Sequence, residues 1–283
     1  MIYDANLGLI FVKTLKVSGS SFEAAIIPLL SKCAIATINE SWTSGGHKVD
    51  AINYRRTTWL PLRRLIPQIL RHRHEARHVP MDVLRRRGPR HEAFSVEKDH
   101  MSANDIRAMI GKEEWDRCTK IEIARNPYDR LVSYYFMKKK QSPKPERFPV
   151  FKDWLVMNPE LILRNERLVS VTDKDGVLQP DIDFVLYYED MDESLRELAE
   201  TFNLDADLLI SRYRATTIHS EFRPRDASGS VENVVDAQSK QLIDIVKAMR
   251  FERLGYRRST DNIVPIRRAN RVTPKTSTTR AVG

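Results

Sequence analysis

Two short stretches of this 283-residue chain combine residue types that grip phosphate. The first is Lys16-Val17-Ser18-Gly19-Ser20-Ser21, which follows an apolar run at 7–12. It precedes Phe22, Ala25, Ile26 and Leu29, which recur at the i, i+3, i+4, i+7 spacing of an amphipathic helix. A strand-to-helix turn aims several backbone N–H groups and the positive helix end at one point, which suits an anion. Gly19 permits close backbone approach, Ser20 and Ser21 add hydroxyl donors, and Lys16 adds a mobile positive charge. Taken alone, the pattern fits an ordinary turn with a surface lysine equally well. It is not a Walker A loop, in which lysine follows the glycines; a mononucleotide kinase is therefore disfavoured.

The second stretch runs Arg125-Asn126-Pro127-Tyr128-Asp129-Arg130-Leu131-Val132-Ser133-Tyr134-Tyr135. Residues 119–124 (TKIEIA) read as a strand, and Asn126-Pro127 supplies a cap residue and a proline at the first helical position. At about 100° per residue, Asn126, Arg130 and Ser133 share one helix face. A guanidinium with a hydroxyl makes a natural cradle for a second phosphate. Taken alone, this too fits a plain helix start whose arginines are solvated or paired with Asp129.

The elements that must position these stretches read as α/β. Residues 7–12 and 34–38 predict buried strands around the first helix, the opening of a parallel sheet flanked by helices. Ser102-x-x-Asp105 ahead of Ile106, Met109 and Ile110 is a capping box. Residues 168–172 and 177 onward flank the hairpin signal Asp173-Lys-Asp-Gly176, and 184–188 is another strand. Asp192 is expected to cap a helix carrying Leu195, Leu198, Ala199 and Phe202. A last helix over 237–253, with Leu242, Ile245, Val246 and Met249 on its apolar face, stops at Gly255. One domain over 1–256 is expected, with a disordered basic tail at 257–283.

Residues 55–90 are different in character: eleven arginines and three histidines meet only Glu75 and Asp82. Leu62, Leu65, Ile66, Ile69 and Leu70 predict that this insertion is partly helical. It fits a grip on an acidic saccharide, an anionic membrane surface presenting a glycolipid, or a solvated basic face. Trp42, Tyr54 and Trp59 could stack on sugar rings or fill the core. His72, His74 and His78 have ligand-like spacing, but no cysteine lies near and basic residues surround them, so no metal is expected.

The net charge of +9 points to polyanionic partners without choosing among them. With 41% hydrophobic and 30% charged residues, the chain can bury one sizeable core. No run approaches the roughly 18–20 apolar residues of a membrane span, and no secretory leader pattern is visible. Cys33 and Cys118, far apart and in or beside apolar runs, read as free, largely buried thiols. A cytoplasmic, reducing location is the expectation.

Taken together and in order, these motifs resemble the sulfotransferase superfamily, especially its Golgi-type carbohydrate branch with the heparan sulfate 2-O-sulfotransferases and their bacterial relatives. Residues 10–23 (IFVKTLKVSGSSFE) resemble the family's lysine loop, with Lys13 where histidine is frequent and Val17 where threonine is usual. Residues 121–136 (IEIARNPYDRLVSYYF) resemble its R-x-P-x-x-R-x-x-S helix, 183–198 its later strand and helix, and 251–256 its closing segment. The resemblance implies a P-loop-like nucleotide-binding fold and the donor 3′-phosphoadenosine 5′-phosphosulfate (PAPS), with a carbohydrate or glycolipid hydroxyl as acceptor and 3′-phosphoadenosine 5′-phosphate as product.

On that reading the cofactor contacts are Lys16, Val17, Ser18, Gly19, Ser20 and Ser21 at the 5′-phosphosulfate and Arg125 and Ser133 at the 3′-phosphate. Arg214 and Arg223 come from the segment that closes over the nucleotide. Val17 lacks the usual hydroxyl, so backbone N–H groups and the serines must replace it. Lys16 would stabilise the leaving oxygen. His100, in a loop upstream of Arg125, is the leading candidate base, with Glu40 as its competitor. Glu23 is expected to act on the first turn of its helix. Two other functions compete: a basic nucleic-acid- or membrane-binding protein, and a sulfotransferase-like module without turnover.

Overall fold

Strand β8 (Thr119–Ala124), buried at all six positions, is the axis of the fold. In the computed structural model the described residues are 1–37, 100–216, 223–224, 226–260 and 265, with the backbone of short strands between 42 and 80. A five-stranded sheet runs in the order β11 (Phe184–Tyr187), β8, β2 (Leu9–Phe11), β1 (Ile2–Asp4), β3 (Ile35–Ala36). The first three strands are mutually parallel: Phe11 pairs with Ile121, and Phe184 pairs with Ile121 from the other side. β1 is antiparallel to both β2 and β3, so four of the five strands point one way. The expected parallel α/β sheet is present with one unexpected reversed strand. Three residues of IYD are too short to show a period.

Alternation along β2 shows why both faces need cover. Leu9 and Phe11 join a cluster with Phe22, Ile123, Leu186 and Leu198, while Ile10 and Val12 join Met101, Ile106 and Trp115. Helix α1 (Gly19–Ile26) covers the first face. Helix α2 (Ala103–Ile110), with the expected Ser102/Asp105 capping box, and α3 (Lys112–Arg117) cover the second. α4 (Pro127–Gln141), α5 (Phe151–Met157) and α6 (Glu160–Val169) build another core in which Tyr135 packs edge-on against Phe136, Phe151 and Trp154. α8 (Ala206–Ala215) packs on α1, and α7 (Met191–Phe202) packs on α8 and β11.

Period two also places charge inside. Lys120 and Glu122, alternating with Ile121 and Ile123, are buried. Lys120 pairs with Asp183 at 2.6 Å, and Glu122 receives Arg253 at 2.5 Å and Arg250 at 3.1 Å.

Several sequence expectations are corrected. The helix expected over 237–253 is two helices, α10 (Ala237–Val246) and α11 (Ala248–Leu254), preceded by the short α9 (Val231–Val234). Their buried side carries Ile243, Lys247, Arg250, Phe251 and Leu254, whereas Ile245 and Met249 are exposed at 69% and 83%. The N-cap of α7 is Asp190, and Asp192 lies in its first turn. Leu168 belongs to α6, and the hairpin is β9 (Ser170–Thr172) with β10 (Leu178–Pro180). Cys118 is buried but Cys33 is exposed; both are free.

β4 (Trp42–Ser44) pairs antiparallel with β5 (His47–Val49), and within the arginine-rich insertion β6 (Tyr54–Thr57) pairs antiparallel with β7 (Arg77–Pro80). The helix expected around Leu62–Leu70 lies outside the described residues, as do Trp59 and the side chains of Trp42 and Tyr54. Of the 257–283 tail, residues 257–260 and Pro265 are described, and Pro265 bridges to Tyr256. Among the described residues, no helix is long and apolar enough to cross a membrane.

Candidate active site

Three neighbouring parallel strands end on the same edge of the sheet, and each releases a charged or aromatic segment there. β2 leads into Lys13–Lys16, β8 into Arg125, and β11 into Tyr188 and Glu189. The carboxyl ends of parallel strands are where open α/β sheets place their ligands.

The loop after β2 is strained. Lys16 (φ 61°) and Ser18 (φ 67°) are left-handed without being glycine, a conformation costing about 1–3 kcal/mol per residue and held only by firm surroundings. Those surroundings are visible. Val17 is fully buried in the core beneath the loop. Asn165 hydrogen-bonds both backbone groups of Leu15, at 3.0 and 3.1 Å. The Tyr213 hydroxyl donates to Ser18 Oγ at 3.0 Å. Ser18 is the N-cap of α1 and makes no side-chain cap bond. The N–H groups of the first turn, Gly19 to Ser21, have no acceptor inside the helix by construction.

Because Val17 points inward, this position offers only its backbone N–H; a threonine hydroxyl placed on the same side chain would also face the core. Gly19 suits a close approach, since a Cβ there would sit 3.0 Å from Lys13 Cγ and press on that side chain. Lys13 pairs with Glu23 at 2.7 Å, and both are buried. Glu23 therefore neutralises Lys13 in the interior and does not act on the first turn of α1. Burial, reinforced by the charge of Arg125, lowers the Lys16 ammonium pKa to about 8.

The loop after β8 folds as its sequence dictates. Asn126 Oδ1 caps α4 through the Tyr128 N–H at 3.0 Å, with Pro127 at the first position. Arg125 donates to Asp129 Oδ2 at 2.5 Å and to the Lys16 carbonyl oxygen at 3.1 Å, so it joins the two loops directly. Its guanidinium lies 4.1 Å from the Tyr188 ring centroid. Arg223 pairs with the other Asp129 oxygen, and its Nε donates to the Gly229 carbonyl at 2.5 Å. Burial pushes the Asp129 carboxyl up, yet Arg125 and Arg223 outweigh it and hold the pKa below its usual value. Burial likewise opposes the Arg125 charge, and Asp129 overcomes that opposition. Two guanidiniums on one carboxylate, beside Lys16, leave an excess of positive charge suited to an anion.

His100 reaches the same edge. Its Nδ1 lies 3.0 Å from the Lys13 carbonyl oxygen. A carbonyl only accepts, so Nδ1 donates to it, which in a neutral imidazole puts the lone pair on Nε2.

The structure thus brings together Lys16, Arg125, Arg223 and the loop serines, with His100 bound to the chain three residues before Lys16. Ser133 lies two turns along α4 and is nearly buried. Arg214 is not drawn in: it is exposed and paired with Asp192, with Nε to Oδ2 at 3.1 Å. Its neighbour Tyr213 touches the loop instead. Arg130 does not share the face of Ser133 as a cradle; it is buried and donates to the Leu161 and Ile162 carbonyls at 3.2 and 3.3 Å. Glu40 lies outside the described residues. Sequence reasoning assigned no site role to Asp129, Tyr188, Tyr213 and Asn165. For Asp129 the i, i+4 spacing from Arg125 was the available signal; for the others nothing local marks the contact.

A model described as the sulfotransferase family matches residues 1–253. Comparison with curated proteins and with solved structures returns no match. With the family's match spanning most of the chain and the phosphate-type loops meeting at one sheet edge, this protein belongs to the sulfotransferase family.

Proposed function

We propose that the chain transfers the sulfuryl group of PAPS to a hydroxyl of a carbohydrate or glycolipid acceptor. The observation that carries this reading is the Arg125–Lys16 carbonyl bond, which ties two positively charged loops into one anion-binding edge. The donor set fits the nucleotide: the α1 N-terminus, Ser18, Ser20, Ser21 and Lys16 for the 5′-phosphosulfate, with Arg125, Ser133 and Arg223 for the 3′-phosphate. When bound, PAPS supplies an activated sulfuryl group on a phosphate leaving group.

The chain's own residues then have distinct tasks. Lys16, protonated below about pH 8, offsets the charge that develops on the leaving oxygen. His100 Nε2 accepts the acceptor hydroxyl proton, while the Lys13 carbonyl fixes the ring through Nδ1. Tyr188 and Asp129 hold the Arg125 guanidinium in place for the 3′-phosphate.

The test has two arms. 3′-Phosphoadenosine 5′-phosphate should raise the melting temperature, by about 2.7 kcal/mol of stabilisation at a hundredfold excess over Kd, and ATP should do less. Equal stabilisation by ATP, or none by either, counts against PAPS as donor. Label transfer from PAPS to a glycan and glycolipid panel should show a product, and Lys16→Ala and His100→Ala should each lower its rate about 10²-fold or more. Full transfer by both variants removes the assigned roles.

A further inference from the structure

The backbone just before Lys16 is held from 150 positions away. Asn165, fully buried on α6, accepts the Leu15 N–H on Oδ1 at 3.0 Å and donates from Nδ2 to the Leu15 carbonyl at 3.1 Å. Leu15 lies past the end of β2, so the amide stands in for a neighbouring strand. We propose that Asn165 is a positioning residue for sulfuryl transfer, clamping Leu15 so that the Lys16–Ser18 turn keeps its left-handed shape. The inference rests on the reading of Lys16 as the residue that acts on the leaving oxygen.

Three features carry it. First, a turn with two left-handed non-glycine residues relaxes unless its flanks are fixed, and the clamp is the two-point tie on the upstream flank. Second, the grip needs a donor and an acceptor on two separate atoms of one short side chain, which a carboxamide provides; an ionised carboxylate has no donor, and a hydroxyl carries both on a single oxygen that cannot span the two groups. Third, α6 is itself immobilised from the side of the other loop. Arg130 of α4 donates to the Leu161 and Ile162 carbonyls. Glu166, next to Asn165, accepts from Lys247 at 2.5 Å and lies 3.3 Å from Arg250 Nε. A single helix therefore braces the Lys16 loop through Asn165 and the Arg125 helix through its carbonyls.

The test compares Asn165→Asp, which keeps the acceptor and loses the donor, Asn165→Ser, which cannot span both groups, and Ile162→Ala. The last removes buried packing on α6 and leaves the clamp intact. Two readouts are taken: transfer kinetics with labelled PAPS, and the pH midpoint of Lys16 acylation followed by mass spectrometry. The wild-type midpoint should lie near 8. In both Asn165 variants kcat should fall at least about tenfold, and the midpoint should rise by about one pH unit or more as the amine regains solvent. Ile162→Ala should lower the melting temperature at least as far as Asn165→Ser does and leave the midpoint near 8.

An unchanged midpoint and kcat in the Asn165 variants, or an equal shift in Ile162→Ala, overturns the positioning role. Should one Asn165 variant fail to fold, the other is judged against Ile162→Ala by the same two readouts. If the wild-type protein itself transfers no label, the reading of Lys16 has failed. The acylation midpoints still report whether Asn165 sets the environment of that amine.

Discussion

Arg125 and Arg130 lie five residues apart in one motif and do opposite work. Arg125 sits at the sheet edge, balanced by Asp129, stacked on Tyr188 and bonded to the Lys16 loop. Arg130 is turned inward, bonded to two helix carbonyls, with its Nε finding no acceptor among the described residues. Burial lowers its pKa to about 10, and Glu166 offsets only part of that cost. Around it Glu122 and Glu166 face Lys247, Arg250 and Arg253. At the sheet edge Arg125 and Arg223 share the one carboxylate of Asp129, where the nucleotide is proposed to bind. The interior network spends its charge tying α4, α6 and the C-terminal helices to β8.

That contrast breaks most sharply at Glu166. Glu166→Leu leaves Lys247 without its carboxylate partner and Arg250 and Arg130 with less compensation. Removing one partner of such a buried group costs about 3–5 kcal/mol. Urea unfolding of the variant should show that loss, whereas nucleotide affinity per folded molecule should fall less than in Arg125→Met, because Arg130 still ties α6 to α4 through the Leu161 and Ile162 carbonyls. A stability change under about 1 kcal/mol would mean the network is not what joins these helices.

The paired arginine substitutions come next. Arg125→Met removes a charge-assisted contact worth about 1.5–3 kcal/mol, so affinity for 3′-phosphoadenosine 5′-phosphate should fall roughly 10- to 150-fold by calorimetry. Asp129 keeps Arg223 in that variant, which limits the loss of stability. Arg130→Met should leave affinity within about threefold. Removing this one member of the buried network should lower stability, as at Glu166, with Lys247 and Arg250 left to balance the carboxylate. The reverse pattern, with Arg130 controlling affinity, would exchange the two roles.

Legibility in the sequence followed the range of the interactions. The Lys16 loop, the Asn126-Pro127 start, the capping box at Ser102 and the β8 strand are written in adjacent residues, and each was readable. The side on which Arg130 faces was not. α4 is buried along most of its length, so periodicity gives no outward direction. The same applies to α10 and α11. Their inner side carries Lys247 and Arg250 because Glu166 and Glu122 await them, 81 and 128 positions away, while Ile245 and Met249 face solvent. Hydropathy reads such a surface backwards. Asn165, Tyr188 and Tyr213 were silent for the same reason: their partners come from other elements and are fixed only by the packed fold.

The smallest effect expected separates the two regions by protons. Lys16 and Lys247 are both pushed down by burial, but Lys247 is locked to Glu166 while Lys16 lies where the nucleotide is proposed to bind. An anion at the loop favours the protonated amine, so binding raises the Lys16 pKa from its starting value of about 8. The sign follows directly. Near pH 7 the amine is already mostly protonated and binding takes up little. Near pH 8.5 about three quarters of the amine is neutral, and binding should take up as much as about 0.7 proton. Affinity should therefore decline as pH rises through 8 and level off only above the raised pKa. Calorimetry of 3′-phosphoadenosine 5′-phosphate in buffers of different ionisation enthalpy measures the uptake. It should be lost in Lys16→Ala and retained in Arg130→Met. Uptake surviving in Lys16→Ala would assign the proton to another group and detach the lysine from the phosphate.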